Sequence, residues 1–174
     1  MTRYESPSAA EHHAQAFRAV GCGVVTVSDT RTLADDRSGD LIVELLAAAG
    51  HGVAARTIVP DEPTAVASTV RELAARSDVA VILLTGGTGV APRDQTPEAV
   101  AGLFTKELPG FGELFRMLSY QEIGAAAMLS RACAGMIDCT PVFLMPGSTA
   151  AVRLAMERLI VPELGHLTKL AAKS

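Results

Sequence analysis

The chain contains no tryptophan and only two tyrosines and five phenylalanines, so its core must be built from aliphatic side chains. No apolar run approaches the roughly 20 residues that cross a bilayer. The opening segment MTRYESPSAAEHHAQAFRAV lacks the continuous apolar stretch of a signal peptide. Both absences point to a cytoplasmic protein without a membrane partner. Basic excess is missing as well: 15 Lys and Arg against 19 Asp and Glu leave a net charge of -4, and no basic stripe with interleaved aromatics occurs. Nucleic acid is therefore a poor partner. The three cysteines, Cys22, Cys133 and Cys139, are odd in number and lack the paired spacing of a zinc site, which predicts buried thiols in a reducing compartment. Neither GxGxxG nor GK[ST] is present, which excludes a dinucleotide fingerprint and a Walker loop. No serine, histidine and acid constellation suggests a hydrolase, and His51 and His166 fall near predicted helix ends, where capping or solvation accounts for them.

What is present is an alternation of strands and helices. A chain of 174 residues has the length of one compact domain, able to bury about 70% of its unfolded surface. Residues 1–18 read as a polar arm in which His12 and His13 are solvated, and residues 19–174 as a single domain. GCGVVTVS, VAARTIV, VAVILLT and CTPVFLMPG read as strands; the third is apolar at nearly every position, as a strand buried on both faces requires. Between them, SGDLIVELLAAAGHG reads as an amphipathic helix with Ser38 as N-cap, and PDEPTAVASTVRELAARSD as a helix with Val66, Val70 and Leu73 in line. Thr96 is expected to cap a helix whose first position is Pro97. ELPGFGELFRMLSYQEIGAAAMLSRACAG reads as a helical pair broken near Gly124, and STAAVRLAMERLIVPELGHL as the closing helices. This alternation predicts a three-layer α/β fold, its mainly parallel sheet covered by helices on both faces.

Parallel sheets bind ligands beyond the carboxyl ends of their strands, and the loops expected there are rich in functional residue types. The first is Ser28-Asp29-Thr30, the second Pro60-Asp61-Glu62, the third LLTGGTGVAPRDQTPE, and the fourth Pro146-Gly147-Ser148-Thr149. Gly86, Gly87 and Gly89 bring bare backbone N–H groups to the rim, where they can donate to a phosphate; a tight turn is the other use of such glycines. Asp61 and Asp94 share that rim, and two carboxylates beside a phosphate cradle are the usual means of holding Mg²⁺. Each acid has a second reading, Asp94 as a loop tie to its own backbone and Asp61 as the N-cap of the next helix. Arg93, Arg116 and Arg131 can each grip a phosphate or form a surface ion pair.

Taken together, VSDTRTLADDRSGD, IVPDE, LLTGGTGVAPRDQTPEAV, LPGFGELFRMLSYQEIGAAAMLSRACAGM and MPGST stand in an order and spacing that resemble the molybdenum cofactor biosynthesis family containing MoaB, MogA and the molybdopterin-binding G domain of gephyrin. The resemblance runs from about Gly21 to His166, and the first and fourth segments look closer to the MoaB branch. It implies a molybdopterin-binding fold that assembles as a homotrimer or homohexamer. It also implies a reaction in which the terminal phosphate of molybdopterin attacks the α-phosphate of Mg-ATP, giving adenylyl-molybdopterin and pyrophosphate. By the same resemblance Asp61 and Asp94 match the family's essential acids, and Gly86, Gly87, Thr88 and Gly89 its nucleotide-phosphate loop. Ser28 and Asp29 match the first rim loop, Ser130 and Arg131 the pterin-side LSR, and Pro146, Gly147 and Ser148 the last loop. Other proteins of molybdenum cofactor biosynthesis are implied partners. The same rim would also serve a non-catalytic molybdopterin carrier or assembly protein.

Overall fold

A computed structural model describes residues 19–172; the expected polar arm, with His12 and His13, lies outside the described residues. The strands are β1 (Gly21–Val27), β2 (Gly52–Val59), β3 (Val81–Thr85), β4 (Lys106–Glu107), β5 (Cys133–Ile137) and β6 (Thr140–Met145). The helices are α1 (Arg37–Ala48), α2 (Pro63–Ala74), α3 (Thr96–Ala101), α4 (Pro109–Ile123), α5 (Thr149–Ala155) and α6 (Val161–Ala171). They form one six-stranded sheet in the order β2-β1-β3-β6-β5-β4. β2, β1, β3 and β6 run parallel, while β5 and β4 add an antiparallel edge.

The alternation of side chains along β3 generates the three layers. Val81 and Leu83 pack with Leu41, Ile42 and Leu46 of α1, Phe111 and Phe115 of α4, Val152 of α5 and Leu164 of α6. Ile82 and Leu84 point the other way, onto Val66, Val70 and Leu73 of α2 and Val100 of α3. Every residue of β3 is buried, as a strand covered on both faces must be. Each fully buried aliphatic side chain contributes about 1.5–3 kcal/mol, against roughly 0–1 for an exposed ion pair, so the two apolar layers hold the fold. Phe143 stands edge-on to Phe111 with centroids 5.1 Å apart, placing two of the few aromatic rings in the larger layer.

Several expectations need correction. Ser38 does not cap α1; Asp36 does, accepting from the Gly39 N–H, because a carboxylate at that position also reaches neighbours inside the sheet. Thr96 is the first residue of α3, not its cap, and its hydroxyl is turned toward Asp61. The helical pair around Gly124 is one α-helix followed by a 3₁₀ stretch, Gly124–Leu129, and Cys133–Ile137 is a strand. Gly124, at φ +63°, ends α4 in a conformation that a side chain would resist. The closing helices are interrupted by a π-turn at Met156–Ile160, where Pro162 removes a backbone donor and its ring crowds the preceding turn. All three cysteines are thiols, but only Cys22 is fully buried and Cys139 is exposed. Burial pushes Cys22 up to about 12 and Cys133 up to about 11, which keeps both unreactive.

β5 and β6 are joined through Asp138 and Cys139, and Asp138 takes φ +50°, a left-handed conformation that aspartate tolerates better than most residues. Asp138→Val is expected to lower stability by about 1–2 kcal/mol, whereas Asp138→Gly should unfold within about 1 kcal/mol of the parent; urea unfolding of the two variants checks this.

Candidate functional site

Because β1, β2, β3 and β6 are parallel, the four loops that follow them open on one rim. The first two loops are tied to each other. The Ser28 N–H donates to the Val59 carbonyl at 2.9 Å, and the Asp61 N–H donates to Asp29 Oδ1 at 2.9 Å. Ser28 Oγ turns back on its own loop, accepting from the N–H groups of Thr30 and Arg31 at 3.3 and 3.2 Å. Arg93 reaches over from the third loop to pair with Asp29, and its Nε lies 3.9 Å from Asp61 Oδ2.

The glycines of the third loop are required by how closely that loop packs. Gly86 sits at φ +109°, where a Cβ would stand 2.3 Å from the Val27 carbonyl oxygen, and Gly87 at φ +63°, where it would stand 2.0 Å from Thr96 Oγ1 and 3.0 Å from Asp61 Oδ1. A Cβ on Gly89 would lie 2.5 Å from Asp94 Oδ2. The absent side chains therefore let both carboxylates approach the loop backbone, and Thr88 between them is buried. The turn reading of these glycines holds: the loop is tight because Val27, Thr96 and the two acids pack against it.

Asp61 is 11% exposed at its side chain and is approached by the Thr96 hydroxyl at 3.4 Å. Burial, and then the negative charge of Asp94, hold its carboxyl above the ordinary value of 3.8, because a desolvated anion beside a like charge is the costlier form. It does not cap α2, whose N-cap is Glu62. Asp94 does act as a loop tie: Oδ2 accepts from the Ala91 N–H at 3.0 Å, and its own N–H returns to the Ala91 carbonyl at 2.9 Å. Among the described residues no group of three or more His, Cys, Asp or Glu side chains is placed to share a metal. Two carboxylates seated on one glycine loop nevertheless fit Mg²⁺, which uses one or two protein carboxylates and fills its octahedron with phosphate oxygens and water.

The other named residues divide into braces and cleft lining. Arg131 donates through Nε to the Gly89 carbonyl at 2.9 Å, bonds the Asp94 carbonyl and pairs with Glu98, so it braces the glycine loop against α3. Arg116 donates to the carbonyls of Ser130 and Ala132 at 3.4 and 3.1 Å, and Ser130 Oγ accepts from the Ala132 N–H at 3.4 Å. Ser148 caps α5, accepting from the Ala151 N–H at 3.3 Å. Pro146 and Gly147 are drawn inward: the Pro146 carbonyl accepts from Thr85 Oγ1 at 2.9 Å and the Gly147 carbonyl from Ser38 Oγ at 2.7 Å. Between the first and last loops lies a cleft of about 400 Å³ lined by Thr26, Ser28, Asp36, Ser38, Thr85 and Ser148, among others. Thr26, Asp36, Ser38 and Thr85 were not singled out as site residues by the sequence reasoning. The available signal was a hydroxyl at or beside the carboxyl end of two otherwise apolar strands, and an aspartate directly before a helix.

The chain's likeness to known proteins covers the same rim. Residues 23–166 match the family described as "Probable molybdopterin binding domain". Molybdenum cofactor biosynthesis protein B of Halalkalibacterium halodurans is 53% identical over 163 residues, which span 93% of this chain and 96% of that protein. A crystal structure of a molybdenum cofactor biosynthesis protein B superposes with a TM-score of 0.90 at 52% identity, covering 92% of this chain and all 100% of the other. The tungsten cofactor synthesizing protein MoaB of Pyrococcus furiosus gives 0.80 at 40% identity, over 90% and 99% of the two chains. With its fold, its rim loops and nearly its whole length shared with such proteins, the chain belongs to the molybdopterin-binding domain family of molybdenum cofactor biosynthesis.

Proposed function

We propose that this chain is a molybdopterin adenylyltransferase that uses Mg-ATP. The observation that supports the reading is the seating of Asp61 and Asp94 against the backbone of Gly87 and Gly89, which joins two anionic side chains to a loop suited to phosphate. Nucleotidyl transfer needs positioning and charge neutralisation more than it needs a protein nucleophile. In the proposed step an oxygen of the molybdopterin terminal phosphate forms a bond to the α-phosphorus of ATP. The bond from that phosphorus to the bridging oxygen of the β-phosphate breaks, and pyrophosphate leaves with the electron pair. Mg²⁺ held by Asp61 and Asp94 would neutralise charge on the nucleotide phosphates. Backbone N–H groups of residues 87–89 orient those phosphates, the Gly86 N–H being held by the Met145 carbonyl, and Ser130 and Arg131 flank the molybdopterin side, where Arg131 holds the loop still.

Incubating the protein with molybdopterin, ATP and Mg²⁺ should yield adenylyl-molybdopterin and equimolar pyrophosphate. Molybdopterin bound without product would identify a carrier instead and end the enzyme reading. Asp94→Asn is expected to lower turnover by about 10² or more, as loss of a preorganised charge-stabilising group does; an unchanged rate removes Asp94 from the mechanism.

Asp61 generates a second, pH-dependent expectation. Its folded carboxyl binds a proton more readily than the ordinary value of 3.8 allows, so the stability it contributes is full below that value and is lost as pH rises through the folded pKa. At neutral pH the charge is thus a burden on the fold. Asp61→Asn should melt at the parental temperature or higher at pH 7, with any gain vanishing toward pH 3.8, while adenylylation is lost. A lower melting temperature at pH 7 would show that the carboxylate is structural.

We further propose that α4 packs against other copies of the chain in a homotrimer or homohexamer. Leu114, Met117, Tyr120 and Ile123 are all exposed along one helix, and Met128 and Leu129 follow in the 3₁₀ segment; grouped exposed apolar side chains of this kind mark an interaction surface. Light scattering at micromolar concentration should report three or six subunits, and Ile123→Glu should shift the population toward monomer; a monomeric parent overturns the assembly.

A further inference from the structure

The floor of the cleft contains a carboxylate that the chemistry above does not use. Asp36 is 2% exposed, yet its carboxylate is fully engaged. Oδ2 accepts from Thr26 Oγ1 at 2.8 Å, Oδ1 accepts from the Gly39 N–H at 2.9 Å, and Arg56 pairs with Oδ2 at 3.0 Å. The other terminal nitrogen of Arg56 pairs with Asp40 at 2.7 Å. A buried charge is a costly way to cap a helix when a neutral serine would suffice. What this one adds is reach, since its partners come from β1, β2 and α1 together.

The geometry continues from there to the last loop. Gly39 packs so tightly on Asp36 that a Cβ would lie 2.0 Å from Oδ2, which fixes the first turn of α1. In that turn the neighbouring Ser38 donates its hydroxyl to the Gly147 carbonyl at 2.7 Å. A Cβ on Gly147 would in turn stand 3.4 Å from the Gly86 Cα, so the last loop rests against the start of the glycine loop. We infer that Asp36 is a positioning residue: through α1 and Ser38 it holds the last loop against the glycine loop and sets the width of the cleft between the first and last loops, which the nucleotide would enter. This rests on the reading of the rim as an ATP site. It assigns Asp36 to ground-state binding of the nucleotide and leaves the transfer step to Asp61 and Asp94.

The test is ATP binding by calorimetry with Mg²⁺ present, together with steady-state kinetics, on full-length parent, Asp36→Asn, Ser38→Ala and the double variant. Asp36→Asn keeps the size of the side chain and its acceptor oxygen but loses the pairing with Arg56, and it should weaken ATP binding by about tenfold or more. The KM for ATP should rise in parallel while kcat stays within about threefold, a split that general loss of structure does not give. Ser38→Ala removes one hydroxyl without touching the buried charge, and should reproduce most of the loss. Because both act through one contact, the double variant should be no weaker than the worse single one. Parental affinity in both single variants, or independent and additive losses, overturns the positioning role. ATP binding absent from the parent itself would instead overturn the nucleotide reading, and the inference with it.

Discussion

The rim is organised by the point at which the chain leaves β3. Gly86 there lies against the Val27 carbonyl with no room for a Cβ, and its N–H donates to the Met145 carbonyl at 3.1 Å. The carboxyl ends of β1, β3 and β6 are thereby locked together at one residue whose positive φ suits glycine. The bond from the Asp61 N–H to Asp29 brings the end of β2 into the same frame. All the loops that carry candidate site residues between β1 and β6 are then referenced to this junction, and shifting it would move both carboxylates, the glycine loop and the last loop together.

Charge on this frame is arranged in two different ways. Asp36 is neutralised inside the protein by Arg56 and two hydrogen-bond donors, which suits a group whose work is to stay still. Asp61 and Asp94 both sit against the glycine loop, and Arg93, engaged with Asp29, has its Nε 3.9 Å from Asp61. Burial, and then the charge of Asp94, raise the proton affinity of Asp61. A fold that neutralised this pair internally would be more stable, the familiar conflict between stability and a charged site.

Sequence periodicity was sufficient wherever one force dominated. The apolar run of β3 and the line of Val66, Val70 and Leu73 on α2 are direct imprints of burial, and both occupy the expected elements. The parallel order of four strands followed from the alternation with helices, and it put the first, second, third and last loops on one rim. What was not legible depended on contacts distant in sequence. Cys133–Ile137 is alanine- and glycine-containing and short, so its own pattern says little; it is a strand because it pairs with β6 through an Asp138 turn that lacks the usual glycine. Ser38 and Asp36 are both plausible caps locally, and Arg56, 20 residues away, decides between them. For Arg131 the sequence left a phosphate grip and an ion pair open, because nothing local reveals that Gly89, Asp94 and Glu98 converge on it.

The antiparallel edge explains why the apolar surface lies where it does. Had Cys133–Ile137 been the second of two packed helices, Met128 and Leu129 would have had an intramolecular partner. Because the chain instead turns back as β5, beginning at Cys133, α4 is anchored on the core along the face that carries Phe111, Phe115 and Ser119. Its opposite face, from Leu114 to Ile123, is left exposed along with the 3₁₀ segment. The same turn delivers Ser130 and Arg131 to the rim, with Arg131 bonded to the glycine loop. The exposed face and the rim residues Ser130 and Arg131 are therefore parts of one continuous segment. The chain that follows the exposed face of α4 is thus the chain that braces the glycine loop through Arg131.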